Sequence, residues 1–444
     1  MQHRFSNKDL RKLIIPLFLE QLLMQLVGVA DTFMITFAGD SAVSGVSLVN
    51  MFVTFFIYVF SSLAAGGAVL ISQFIGRKDR ENAERTAGQL MTISVLISVV
   101  CTAVVIIWNE PILHLLFGKV EPDVMAACVT YQSVMAYSFV FLGIYNTGAA
   151  ICRSINRTNV TLVISLISNI VNIAGNAIGI FVLKAGVAGV AWPTFIARVA
   201  AAAAVFIFCL SEKNEVVLRF KYIFAWMGRL IKRILYVAIP NSVENGIFQI
   251  IKIALSSVVA LFGTAQIAAN GIAQTIWALS AMMSMAMGPA FITVIGQCMG
   301  AGDVSDAEYY FKKLLKIALV ASTIWNALIF GLTPLLMRMY PVSGEIKQLV
   351  IWLVLIHNAF SAFVWPFGAS LPNGLRAAGD VRFPMIISVA STALIRLPFS
   401  IILGITLNMG VLGIAWAMVS DWTVRAIIFT IRYKKGRWKS MKII

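Results

Sequence analysis

The chain has 444 residues, 60% of them hydrophobic and 12% charged, with a mean hydropathy of +0.89. That composition excludes a soluble globular fold and places the chain in lipid. The net charge of +16 does not mark a nucleic-acid binder, because no nucleic-acid module is present and the positive residues follow a membrane pattern.

Twelve long apolar stretches are predicted, at 13–37, 47–75, 86–108, 124–149, 159–182, 187–210, 234–262, 266–296, 310–332, 347–371, 384–406 and 410–431. Each reaches the ~20 residues that cross a hydrocarbon core as helix. The alternation of a membrane barrel is absent, so the expected class is an all-α polytopic membrane protein. Met1–Lys12 is polar, and the first stretch is too long to be the core of a cleavable signal. If the stretches alternate in direction, 27 of the 35 Lys and Arg fall on one side, and Lys119, Lys184, Arg338 and Lys347 fall on the other. Cytoplasmic loops carry such an excess. Both termini are therefore expected in the cytoplasm, in a multi-pass protein of the plasma (inner) membrane whose basic loops meet anionic lipid headgroups. Arg198, Lys252, Arg396 and Arg425 lie inside stretches.

The sequence repeats itself. Shifted by 224 residues, Pro16 and Glu20 meet Pro240 and Glu244, Gln25 meets Gln249, and Gly39 meets Gly263. Gln73, Gly76 and Asp79 meet Gln297, Gly300 and Asp303, while Gly186, Gly189, Ala191 and Trp192 meet Gly410, Gly413, Ala415 and Trp416. Arg153 meets Arg376 at a shift of 223. Six stretches per half is an even number, so the halves are parallel repeats, expected as an N-terminal lobe at 1–218 and a C-terminal lobe at 219–444. The polar segment Ser211–Arg233 is the expected linker. Duplicated membrane halves are a mark of transporters. No extramembrane domain and no GxxxxGK[ST] phosphate loop is present to use ATP, so uphill transport has to draw on an ion gradient. The five cysteines show no paired spacing and read as small packing residues.

Only four acids lie within stretches: Glu20, Asp31, Glu244 and Asp421. Such groups are costly in hydrocarbon and mark functional sites by default. Asp421 has Arg425 one turn on and reads as a self-neutralised pair. Glu20 and Asp31 are close to three turns apart and share one face, about 16 Å apart by helical rise. Glu244 is the repeat mate of Glu20, with Asn245 and Gln249 beside it and Lys252 two turns on. The fifth stretch carries Thr161, Ser165, Ser168/Asn169, Asn172 and Asn176 at three- and four-residue spacing, a polar stripe on one helix face. Asn172, Asn176, Asp31 and Thr194 are expected at similar depth, an oxygen-bearing set that suits sodium or a hydrogen-bonded proton. Met282, Met283, Met285 and Met287, and Phe52, Phe55, Phe56 and Phe60, read as packing or lipid-facing residues before they read as a drug surface.

These features resemble the multidrug and toxic compound extrusion (MATE) family. The resemblance rests on Ala30–Phe33 (ADTF), Ser72–Lys78 (SQFIGRK), Gly296–Asp303 (GQCMGAGD) and Gly186–Trp192 (GVAGVAW), and it covers nearly the whole chain. It implies twelve helices in two pseudo-symmetric, V-shaped six-helix lobes. It also implies a secondary-active antiporter in which sodium or protons enter while organic, often cationic, drugs leave. The chain is closer to the DinF-like branch. There Asp31 matches the carrier of the coupling ion, a sodium ligand where sodium is used, and Asn172 and Thr194 match other oxygen ligands. That branch has an aspartate where this chain has Asn176, which removes one negative charge. Glu20, Gln25, Glu244, Asn245, Gln249 and His357 are expected to line the substrate cavity, with the glutamates attracting cations. No cofactor beyond the coupling ion is implied, no nucleic acid, and the protein is expected to work as a monomer. The alternative is a lipid-linked precursor flippase of the same superfamily, against which the internal acids argue. An enzyme is not expected, because His3, His114 and His357 are scattered and no nucleophile–base or metal constellation is found.

Overall fold

The computed structural model describes residues 3–118, 120–340 and 342–444; Lys119, one of the four cations assigned to the outer side, lies outside them. Among the described residues the chain is helical, with no strand. Eleven helices are long and apolar enough to cross a membrane, and a bent pair supplies the twelfth span. In chain order they are α1 (Asn7–Ile35), α2 (Asp40–Gly76), α3 (Arg80–Ile107), α4 (Pro122–Tyr137 and Phe139–Ser154), α5 (Thr158–Val182) and α6 (Ala188–Cys209). Then follow α7 (Gly228–Ala260), α8 (Thr264–Gly300), α9 (Val304–Met339), α10 (Gly344–Phe363), α11 (Arg382–Thr406) and α12 (Gly410–Lys434). The twelve predicted stretches fall on these twelve spans.

The 45° bend of α4 falls at Ser138. Its hydroxyl donates to the Met135 carbonyl at 2.6 Å and accepts from Arg198 Nη1 at 2.6 Å. A side chain that enters the backbone ladder in this way is an identifiable cause of a kink.

The chain divides into two compact units, one of Ser6–Ser242 and one of Val243–Ile444 together with the N-terminal residues through Phe5. The division falls within α7, just past Pro240. The segment after α6 belongs to the first unit. Gln89 on α3 donates to the Tyr222 carbonyl at 2.6 Å and accepts from the Met227 N–H at 2.8 Å, and Arg219 pairs with Glu84 at 2.7 Å. The expected linker is thus strapped along α3.

Lipid is as apolar as leucine, so helices in a membrane associate through close packing and polar contacts. The repeated glycines serve this. A Cβ on Gly179 would meet the Gly189 carbonyl oxygen at 2.2 Å, and one on Gly413 would come within 2.6 Å of the Gly404 nitrogen. The α5–α6 and α11–α12 hairpins are therefore closed by backbone contact. Gly186 and Gly410, which open the second helix of each hairpin, sit at φ +56° and +57°, in the left-handed region that costs glycine little. Asp79 and Asp303 cap α3 and α9, accepting from the N–H of Asn82 at 3.1 Å and of Asp306 at 2.9 Å. The phenylalanine and methionine runs are mostly packing: Phe60 stands against Phe139, and Met282, Met283 and Met287 are buried. All five cysteines are free.

Candidate coupling site

The polar stripe of α5 lies against the acidic face of α1. Thr161 donates to Glu20 Oε2 at 3.2 Å, and further along, Asn176 Nδ2 donates to Asp31 Oδ1 at 2.7 Å. The same Nδ2 reaches Asn172 Oδ1 at 3.3 Å, and Asn172 Nδ2 donates to Thr194 Oγ1 on α6 at 2.9 Å. Asp31, Asn176, Asn172 and Thr194 are thus one continuous hydrogen-bonded chain across three helices of the first unit. Asn172 and Asn176 are buried, while Asp31 and Thr194 are half-buried. A π-turn, 178–182, follows Asn176 directly; such local widening of a helix is frequent at functional sites.

Two features of this cluster go beyond the sequence reading. Asn176 Oδ1 is buried with no hydrogen-bond partner. An orphan acceptor in a dry site is costly, and a sodium ion or a donated proton would satisfy it. Arg198, one helical turn beyond Thr194 on α6, acts electrostatically on Asp31 and on Tyr131 while it holds the Ser138 bend. The set therefore contains one carboxylate faced by one guanidinium. A signal was present, since Arg198 lies inside an apolar stretch at the next turn after Thr194, but nothing in one dimension joined it to Asp31.

The glutamates are placed differently. Glu20 is 2% exposed, and its carboxylate accepts from Arg153 Nη2 at 2.9 Å and from Tyr145 Oη at 3.3 Å as well as from Thr161. Glu244 pairs with Arg376 Nη2 at 2.5 Å; this is its partner, where the spacing along α7 had offered Lys252. Glu20 and Glu244 are repeat mates, and so are Arg153 and Arg376, so each half closes the same ion pair on itself. Opposite charges duplicated together were the available clue. Gln25, Asn245 and Gln249 are half-buried on α1 and α7. His357, on α10, is 1% exposed with neither ring nitrogen hydrogen-bonded. Asp421 and Arg425 form the expected pair, with Arg425 Nε and Nη2 each 2.8 Å from a carboxylate oxygen.

A duplicated twelve-span bundle with a buried oxygen-rich cluster in one half is the architecture of a polytopic membrane transporter. The model of the MatE family matches the chain twice, at residues 16–178 and 240–402, a displacement equal to that of the internal repeat. The chain belongs to this family of transporters, which are not enzymes. It is 29% identical to YisQ of Bacillus subtilis, an uncharacterised transporter, over 95% of this chain and 93% of that one. It is 23% identical to a probable multidrug resistance protein, NorM, of Thermotoga maritima, over 99% of this chain and 94% of that one. In fold it is similar to a MATE crystal structure in complex with MaL6, at TM-score 0.91 and 21% identity over 98% and 97% of the two chains. An outward-facing MATE family transporter of the MOP superfamily gives TM-score 0.89 and 22% identity over the same shares. The flippase alternative finds no support among these relatives.

Proposed function

We propose that the protein is a secondary-active antiporter of the plasma membrane that exports organic small molecules against the inward movement of sodium or protons. The observation that carries this reading is the hydrogen-bonded chain Asp31–Asn176–Asn172–Thr194, which holds an unpartnered buried acceptor at Asn176 Oδ1. Asp31 takes the ion, the two amides and the hydroxyl fix its geometry, and Arg198 is the counter-charge that Asp31 returns to when the ion leaves. Binding then favours one arrangement of α1, α5 and α6 over another, and the substrate favours the other; coupling requires that difference in affinity. The charge asymmetry of the loops supports cytoplasmic termini, and a transport path within one duplicated chain supports a functional monomer. The expectation of a cationic substrate rests on Glu20 and Glu244. Each is matched by an arginine, so that support falls away.

The test is efflux of a fluorescent organic substrate from proteoliposomes under an imposed sodium gradient or an imposed pH gradient. The wild type responds to one of the two, which names the ion. Asp31→Asn abolishes the response while the protein still reconstitutes. Undiminished gradient-driven efflux by that variant would sink the assignment.

A further inference from the structure

The second unit carries the repeat mates of the first unit's cluster, and their chemistry is inverted. At a displacement of 224 residues Asn172 meets Arg396, Thr194 meets Met418 and Asp31 meets Leu255. The helices confirm the register: α5 spans 158–182 and α11 spans 382–406, and they end on π-turns at 178–182 and 402–406. Even the contact is retained. Asn172 touches Thr194 at 2.9 Å, and Arg396 Nη2 touches Met418 Sδ at 2.8 Å. A carboxylate, an amide and a hydroxyl in one unit correspond to a leucine, a guanidinium and a thioether in the other.

Arg396 is 7% exposed, its Nε–H has no acceptor, and its guanidinium lies 5.1 Å from the Phe248 ring centroid. The carboxylate in its neighbourhood, Asp421, is already claimed by both arms of Arg425 and by the Ser391 hydroxyl. Lys252 on α7 is accessible and lies within the electrostatic reach of Arg396. Among the described residues neither cation is ion-paired to a carboxylate. Arg396 also acts on His357, whose ring nitrogens are both unpartnered. Beyond it, Trp277 and Trp365 pack on Trp422 with their own indole N–H groups buried and unsatisfied. The orphan in the Asp31 cluster, Asn176 Oδ1, is an acceptor, whereas here the guanidinium and indole orphans are donors. Buried donors and charges without partners are costly, and one ligand with acceptor oxygens and an aromatic or apolar body would relieve several together.

We propose that the second unit contains a binding site for an amphiphilic anion, with Arg396 and Lys252 taking the anionic group and the surrounding aromatic side chains taking its body. The proposal rests on the transporter reading in that it names the substrate class: an organic acid or zwitterion, or a lipid bearing an anionic headgroup, with the anionic group common to all. The chain then carries a cation site in one unit and an anion site in the other, with Arg396 standing at the repeat position of Asn172.

The test is equilibrium dialysis of the full-length protein in nanodiscs of zwitterionic lipid, against 1-naphthoate and its near-isostere 1-naphthylmethylammonium, with empty nanodiscs subtracted. Naphthoate binds about tenfold or more tighter than the ammonium, and Arg396→Gln weakens naphthoate alone by about tenfold, as expected for loss of a charge-assisted contact. Lys252→Gln, at an accessible position, does the same to a smaller degree and decides the matter if the arginine variant does not fold. Equal or tighter binding of the ammonium, or naphthoate binding untouched by Lys252→Gln, would overturn the proposal. Nanodiscs of anionic lipid separate the two sources: loss of naphthoate binding there assigns the anion to a headgroup, and retention assigns it to a small acid. In Asp31→Asn naphthoate still binds tighter than the ammonium and still depends on Lys252, whatever the change in absolute affinity, so a failure here and a failure of ion coupling are told apart.

Discussion

The polar cluster around Asp31 in the first unit leaves an acceptor unpaired, Asn176 Oδ1, and the cluster around Arg396 in the second leaves donors unpaired at Arg396, Trp277 and Trp365. Around these opposite interiors the two units keep the same joints: an aspartate cap on the third helix, a backbone-to-backbone glycine contact closing the last hairpin, and a glutamate four residues past a proline held by an arginine. Residues that match across the repeat do the work of folding. Residues that differ between the mates, Asp31 against Leu255 and Asn172 against Arg396, hold the chemistry. The search for function in a duplicated protein is therefore best directed at mates that disagree.

The comparison is broken most directly by removing one charge from each interior. Asp31→Asn abolishes gradient-driven efflux and keeps the preference for anion over cation in binding, whereas Arg396→Gln lowers anion binding about tenfold and leaves an efflux response to the cation gradient for substrates without an anionic group. If both variants lose both readouts to the same extent, the division of labour is wrong. A smaller effect sharpens the first half. Asn176→Asp adds a second carboxylate against Asp31, and the apparent affinity for the coupling cation in efflux rises by about tenfold, the scale of one added charge-assisted contact.

The shared joints are tested by stability. Removing one partner of a buried ion pair costs about 3–5 kcal/mol, because the other charge stays buried. Glu244→Gln leaves the Arg376 side chain, 9% exposed, without its carboxylate and is expected near this range. Glu20→Gln costs less, because the Arg153 side chain it leaves is 23% exposed. Thermal unfolding in detergent with a dye that reacts with newly exposed thiols, which the five buried or half-buried cysteines provide, measures both; a larger loss at Glu20 would contradict this account.

The smallest effects belong to the caps. Asp79→Ala and Asp303→Ala each cost about 1 kcal/mol, the usual value of an N-cap, and equal losses would support their equivalence. The Asp306 N–H, with help from the Ser305 hydroxyl, holds the Asp303 carboxyl below the ordinary aspartate range. A depressed folded pKa means that its contribution is complete above the unfolded aspartate value near ~4 and is lost as pH falls through the folded value. The difference between wild type and Asp303→Ala is thus constant from neutral pH down to about 4 and shrinks below it. A difference that grows on acidification would contradict this.

Much of the molecule was legible in one dimension. Apolar runs of span length, a one-sided excess of Lys and Arg, and a displacement of 224 residues are local or additive signals, because each helix satisfies its own backbone in lipid and hydropathy alone locates it. The α5 stripe and the α1 acids were legible for the same reason: helical periodicity sets which side chains share a face. What tertiary structure decided is which faces meet. It joined Glu20 to Arg153 and Glu244 to Arg376, brought Arg198 within electrostatic reach of Asp31, strapped the segment after α6 along α3, and left Arg396 without an acid while Arg425 took Asp421. A charge in a membrane span is read from sequence as costly, but its cost depends on the neighbour that offsets it, and for Glu20 and Glu244 that neighbour is supplied by a helix more than a hundred residues away.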